Sequence, residues 1–413
     1  MLRVSRLLRV LAASWLGVAL AGCATRVVRD PVPAALVEKA DIPGLAYARF
    51  WGDEVPKDVI AFVKTHMPGA RQMAMQSPRK DGRPVVDYLA LSGGAGDGAF
   101  GAGLLAGWSR RGDRPRFEVV TGVSAGALIA PFAFLGPAYD RQLQEIWTKY
   151  DTERLATPQV LAGLLGAEAL ADSTPLKELI AKYVDRRMLD RIAEEYRGGR
   201  VLLVGTTNLD AQRQVIWNMG EIAANHHPYA LDLFREVLLA STAIPGVFPP
   251  VHIKVRVGDE IREEMHVDGG PTRQVFVAPA QFSLRTFDPL YPKPPIRRIF
   301  IIKNGKLAPE YEAVEANTLA ISARSLFTLT KSQSVGDINR IYMTAQRDGA
   351  EFRLASIPPS FNVPSNQAFD PAYMKALFRT GFELGRRGTA WHSGPPELIA
   401  AAPARPSTPV AAK

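Results

Sequence analysis

The chain has 413 residues, 47% of them hydrophobic and 22% charged, a length and composition that suit one large domain with extensions or two domains and exclude a wholly disordered or fibrous protein. Its net charge of +9 is spread along the chain without a Lys/Arg block, which argues against a nucleic-acid partner. A single cysteine, Cys23, excludes an intramolecular disulfide and a Cys-built zinc or iron–sulfur site.

Residues 1–22 read as a signal peptide: Arg3, Arg6 and Arg9, then the apolar run Val10–Leu20, then Ala21 and Gly22. The apolar run is too short to span about 30 Å of hydrocarbon as a permanent helix. The ending Leu20-Ala21-Gly22-Cys23 resembles a bacterial lipobox, in which the cysteine thiol takes a diacylglycerol and becomes the new N-terminus. An ordinary secretory signal with a chance cysteine is the alternative, but it must explain why the only cysteine sits at this spot. Ala24 follows rather than Asp, which by analogy with enterobacterial sorting favours the outer membrane. The expectation is a protein of the bacterial cell envelope, held at a membrane surface by a lipid anchor on Cys23.

Residues 23–85 carry seven prolines and a short helical pattern at Lys57–His66, and read as a tether and N-terminal extension. Val85–Leu91 predicts a buried strand ending in a Gly-rich turn, and Ala99–Arg111 the helix after it. Phe117–Val120 is a second apolar run, again followed by Gly and then an apolar stretch, Ser124–Leu135. Val201–Val204 and Arg298–Ile302 are further buried-strand candidates. Helical patterns lie near 139–149, 174–184, 231–242, 311–334 and 370–387, with Thr174-Pro175 a hydroxyl N-cap and Pro start. This alternation predicts an α/β fold, a mainly parallel central sheet covered by helices on both faces. Val251–Val257 and Ile261–Val267, joined by Gly258-Asp259, predict an antiparallel hairpin beside that sheet. Residues 393–413, rich in Pro and Ala, are expected to stay disordered.

Three constellations carry chemistry. Ser92-Gly93-Gly94-Ala95-Gly96-Asp97-Gly98, between strand and helix, offers consecutive backbone N–H groups at a helix N-terminus, a site for a phosphate or an acyl-transfer oxyanion. The overlapping Gly96-x-Gly98-x-x-Gly101 matches a dinucleotide fingerprint, but no acid stands at the end of the next strand; the nearby Glu118 lies inside it. Gly122-Val123-Ser124-Ala125-Gly126 follows an apolar strand and opens an apolar helix, as a nucleophile elbow requires. Val267-Asp268-Gly269-Gly270 sets an aspartate at a strand end, either in an ordinary Asp-Gly turn or as a direct base to Ser124. Of the histidines only His392 follows in the order an α/β-hydrolase triad needs.

Together these motifs resemble the patatin-like phospholipase family, which carries a Gly-rich oxyanion loop, a G-x-S-x-G serine and a D-G-G aspartate. Ala240–Pro250 and Asp172–Leu176 resemble further family stretches, so the likeness covers roughly residues 86–280, with 281–392 completing the domain. The resemblance implies a three-layer α/β/α patatin-like fold. It also implies a Ser124–Asp268 dyad without histidine, and an oxyanion hole from Gly93, Gly94, Ala95 and Gly96. The substrate it implies is a lipid acyl ester, cleaved with no cofactor and no metal. Two departures stand out: the third glycine of the loop is Ala95, and the basic residue is Asp97. The alternatives are a Ser-His-Asp carboxylesterase relying on His392, and a non-catalytic outer-membrane lipoprotein whose site has decayed at Asp97.

Overall fold

A computed structural model describes residues 29–55, 57–158 and 168–400. The signal peptide, Cys23 and the end of the tail lie outside them. The strands that matter here are β1 (Arg49–Trp51), β2 (Arg83–Leu91), β3 (Val119–Val123), β4 (Val201–Asn208), β5 (Arg213–Asn218), β6 (Val251–Val257), β7 (Glu260–Asp268), β8 (Ile296–Lys303) and β9 (Glu351–Ser356). They join in one sheet of order β1-β5-β4-β3-β2-β8-β9, in which β4, β3, β2, β8 and β9 are parallel. The expected α/β fold with its mainly parallel sheet is therefore present.

The parallel strands are apolar on both sides because both sides are covered. On β2, Leu89 and Leu91 enter one core cluster, with Phe100, Leu104 and Phe132. Val86, Tyr88 and Ala90, pointing the other way at period two, enter another with Ile299, Ile301 and Ile338. The first face carries α3 (Gly98–Arg111), α4 (Ala125–Leu135), α5 (Asp140–Lys149), α6 (Thr174–Tyr183), α7 (Arg186–Arg197), α8 (Met219–Ala224), α9 (Ala230–Ser241) and α11 (Pro371–Arg387). The second carries α1 (Val59–His66), α2 (Ala70–Gln76) and the C-terminal half of α10 (Thr318–Asp348).

Helices α3 and α11 touch backbone to backbone. A Cβ on Gly103 would stand 2.1 Å from the Phe378 carbonyl oxygen, and one on Gly107 2.0 Å from that of Phe382. Reciprocally, Cβ atoms on Gly381 and Gly385 would stand 2.3 Å from the carbonyls of Phe100 and Leu104. Two glycines four residues apart on each helix make this approach possible.

Several boundaries differ from the sequence reading. The second strand runs Val119–Val123, so it ends directly at Ser124. The helix expected at 311–334 spans Thr318–Asp348. Thr174 does not cap its helix; its N–H and hydroxyl both donate to Asp172 Oδ1, at 3.0 and 2.9 Å. The described part of 23–85 is no tether: β1 forms the sheet edge on β5, Asp41 bridges to Arg256, and α1 and α2 cover the sheet. Within 393–413, Pro396–Ala400 is helical rather than disordered. Helix α7 escaped the sequence reading, although Asp185 caps it through Met188 N–H at 2.8 Å and Met188, Leu189, Ile192, Ala193 and Tyr196 form its buried stripe.

Candidate active site

The two residues of the expected dyad meet because of strand register. Strand β3 climbs beside β4 in parallel and stops with Val123 opposite Gly205. Strand β7 descends along the same edge of β4 and stops with Asp268 opposite Thr206, the next residue. The two strands thus end head to head, and Ser124 and Asp268 occupy the junction.

Ser124 holds φ 54° and ψ −125°, a conformation that L-residues avoid. The surroundings enforce it. Ser124 N–H donates to Ser241 Oγ at 3.0 Å, and Ser241 donates onward to the Gly205 carbonyl at 2.8 Å. The turn is so tight that a Cβ on Gly122 would lie 2.4 Å from the Gly126 carbonyl oxygen, and one on Gly126 2.3 Å from that of Leu91. Both glycines of G-x-S-x-G are therefore steric requirements. The hydroxyl is turned toward a carboxylate and sits at the N-terminus of α4, whose dipole favours developing negative charge.

Asp268 is 5% exposed. Burial raises its pKa to about 6, while the neighbouring Ser124 hydroxyl and the Gly270 N–H, which donates at 2.7 Å, pull it back down. The result is a carboxylate that is a better base than one in water yet still ionised at neutral pH.

Of the four loop residues expected to hold an oxyanion, Gly93 donates its N–H to the Gln274 carbonyl at 3.1 Å. The N–H groups of Gly94, Ala95 and Gly96 have no acceptor among the described residues. Ala95 takes φ 45°, the left-handed region, which explains why a glycine suits this position. Ala95 and Ser124 share a small apolar cavity of about 40 Å³, bounded by Leu128, Trp147, Leu176 and Phe248.

Asp97 is half-buried and does not cap α3. Its carboxylate accepts the Tyr373 hydroxyl at 2.5 Å. Burial raises its pKa to about 6; the Tyr373 bond and the nearby Lys303 ammonium oppose this. Lys303, at the end of β8, is itself buried, and its pKa falls to about 8. A Cβ on Gly305 would stand 3.2 Å from Lys303 Nζ and 3.8 Å from Asp97 Oδ2, so the two charges flank that residue. The cation missing from position 97 of the loop thus has a counterpart at the end of the neighbouring strand.

Three supporting residues escaped the sequence reading. Asn304 clamps the glycine loop: Nδ2 donates to the Ser92 carbonyl at 2.8 Å, and Oδ1 accepts Gly101 N–H at 3.1 Å. Gln274 lies between the loop and the Asp268 turn, its backbone N–H donating to Asp337 at 2.7 Å. Ser241 braces the elbow. A polar residue one position (Asn304) or six positions (Gln274) beyond a strand end was the available signal for the first two.

No histidine hydrogen-bonds to Ser124 or Asp268 among the described residues. His266, two residues before Asp268, is fully buried and engages Thr206 and Glu264. His392 bridges to Leu354 beyond β9, four strand spacings or about 19 Å from β3.

Residues 89–280 match the family described as Patatin-like phospholipase. No curated protein matches the chain. Solved structures with similarity include VipD from Legionella pneumophila (11% identity, 73% of this chain and 66% of that one, TM-score 0.36). Human GIVD cytosolic phospholipase A2 gives 12% identity, 76% and 55%, and TM-score 0.33. ExoU of Pseudomonas aeruginosa, in complex with SpcU, gives 14%, 74%, 52% and 0.30. The chain matches between about half and two thirds of the length of each.

Proposed function

We propose that this chain, whose residues 89–280 match the patatin-like phospholipase family, is a lipid acyl hydrolase working through Ser124 and Asp268. The observation that carries this reading is the head-to-head ending of β3 and β7 on one edge of β4. Asp268 accepts the Ser124 proton as Oγ attacks the ester carbonyl. The tetrahedral oxyanion receives the N–H groups of Gly94, Ala95 and Gly96, which contribute a few kcal/mol, while Gly93 serves as a strut. Collapse expels the alcohol, which takes the proton from Asp268. Water, deprotonated by the same carboxylate, then releases the fatty acid and frees Ser124. The scheme uses no metal and no cofactor.

A triad esterase is disfavoured by the distance of His392. A decayed site is disfavoured by the geometry around Asp97, which leaves the loop amides in place. The apolar character of the cavity beside Ser124 suits an acyl chain, and its small size requires the surrounding side chains to part around one. A diacylglyceryl anchor at Cys23 would keep the enzyme on its substrate's surface, in the bacterial envelope and on the outer membrane.

The test is a fluorophosphonate probe followed by mapping of the labelled peptide, alongside turnover of a short-chain acyl ester and a phospholipid. The label should fall on Ser124, and Ser124→Ala should abolish turnover. Label elsewhere, or an active Ser124→Ala protein, would sink the reading. The anchor is checked separately: Cys23→Ser should leave the membrane fraction and lose its acyl mass.

A further inference from the structure

A large cavity lies away from the catalytic end. It holds about 580 Å³ between the second face of the sheet and its cover of α1, α2 and the 277–291 segment, well within the range of small-molecule sites. It shares no lining residue with the cavity at Ser124. Its walls are mainly apolar: Val86 and Val201 from the sheet, Phe62 and Met67 from α1 and its end, Phe287 and Leu290 from the connecting segment. Of the basic residues at its margin, Arg49 is paired with Glu264, His66 contacts Glu221, and Lys57 is exposed.

One wall carries a polar group of a distinct kind. Glu118, 8% exposed, lines the cavity and accepts hydroxyl donors from Ser77 at 3.2 Å and Tyr291 at 2.9 Å. It forms no ion pair among the described residues, and a carboxylate has acceptor sites for more than two donors. Burial raises its pKa to about 7, so above that pH its carboxylate would repel an anionic head group beside it. Glu118 precedes β3 and Ser124 follows it, so the two stand about 20 Å apart at opposite ends of one strand. The proposed hydrolysis does not use this carboxyl.

We propose that this cavity is a second, non-catalytic site for an uncharged single-chain amphiphile, whose tail lies along the apolar walls and whose hydroxyl donates to Glu118. The choice of occupant rests on charge and shape. A long aliphatic body fits the walls, and a hydroxyl head supplies the donor that Glu118 can take, whereas a fatty-acid carboxylate would oppose it. The site does not depend on Ser124 being a nucleophile.

The experiment titrates Ser124→Ala protein with 1-monooleoylglycerol and, separately, oleate, below their aggregation concentrations, by calorimetry and native mass spectrometry. Monooleoylglycerol should bind one to one, at least tenfold more tightly than oleate at pH 8. Ala61→Trp, at an exposed position of α1 on the cavity rim, should weaken it about tenfold without disturbing the fold. Glu118→Leu should remove the preference over oleate, and Glu118→Gln should keep most of the affinity. Wild type phosphonylated at Ser124 should bind as before. Absence of one-to-one binding, unchanged affinity in Ala61→Trp, or loss of binding on phosphonylation would overturn the proposal; the last would put the ligand in the catalytic cavity.

Discussion

The two faces of the sheet are built to different tolerances. Around Ser124 the backbone segments lie so close that added methyls at Gly122, Gly126, Gly103 or Gly381 would meet carbonyl oxygens at 2.1–2.4 Å, and the cavity there is about 40 Å³. Across the sheet, α1 and α2 stand off far enough to leave about 580 Å³. Interiors are ordinarily packed without such voids. The contrast teaches that close packing is concentrated where a strained serine and three amides must be held, and that the other face can give room to a ligand.

The largest effect expected from breaking this arrangement is at Asp268. Asp268→Asn should lower ester turnover by about 10³-fold or more, with the Ser124→Ala double variant little worse, since the pair acts as a unit. The same variant should be more stable. An unfolded Asp titrates near 3.9, whereas Asp268 in the fold titrates at about 6. The native state therefore binds this proton more tightly, and ionising the carboxyl costs stability progressively from about pH 4 to 6, fully above that. Asn never ionises, so Asp268→Asn should gain about 2–3 kcal/mol in denaturant unfolding at pH 7 and almost nothing at pH 4. Wild-type turnover should fall as pH drops through 6.

A direct test of the contrast pairs one substitution from each face. Gly126→Ala should destabilise by about 3 kcal/mol and remove activity, because its methyl meets the Leu91 backbone. Val63→Ala, in the cover of the large cavity, should cost about 1–2 kcal/mol with turnover within twofold, as that region is already loosely filled. Thermal melts and ester assays on both decide it; equal losses would remove the distinction between the faces.

Asp97→Arg probes the loop's departure from its family. It gives up the Tyr373 bond and sets a second cation beside Lys303, so kcat/KM should fall about tenfold, and Tyr373→Phe by two- to threefold. A gain in Asp97→Arg would show that Lys303 does not stand in for the missing loop cation. The smallest effect is at Ala95. Ala95→Gly relieves a left-handed φ and should raise stability by about 0.5–1 kcal/mol in a denaturant melt.

The strand–glycine–helix order was readable in the sequence because β2, β3 and β4 are apolar on both sides and end in turn residues. Ser124 and Asp268 could be singled out because a nucleophile elbow and an Asp-Gly-Gly turn leave local signatures. The supporting residues leave none. Asn304, Gln274, Ser241 and Tyr373 act across 36 to 276 positions of chain, and each looks like an ordinary polar residue until the fold brings it in. Residues 29–85 misled for a related reason. Their prolines suggest a tether, yet β1 is a three-residue edge strand stabilised by pairing with β5 rather than by its own pattern.

The glycine seam between α3 and α11 carries a lesson about where this protein can be divided. The family likeness stops at residue 280, but α11 begins ninety residues later and grips α3 through its backbone. Helix α3 opens directly from the glycine loop, and α11 brings Tyr373 to Asp97. Inheritance marks out one segment, whereas cooperative folding needs another that is considerably longer. A fragment ending at 280 would lose β8, β9 and the helix that seats the loop, leaving Ser124 and Asp268 in a chain with no means of holding them.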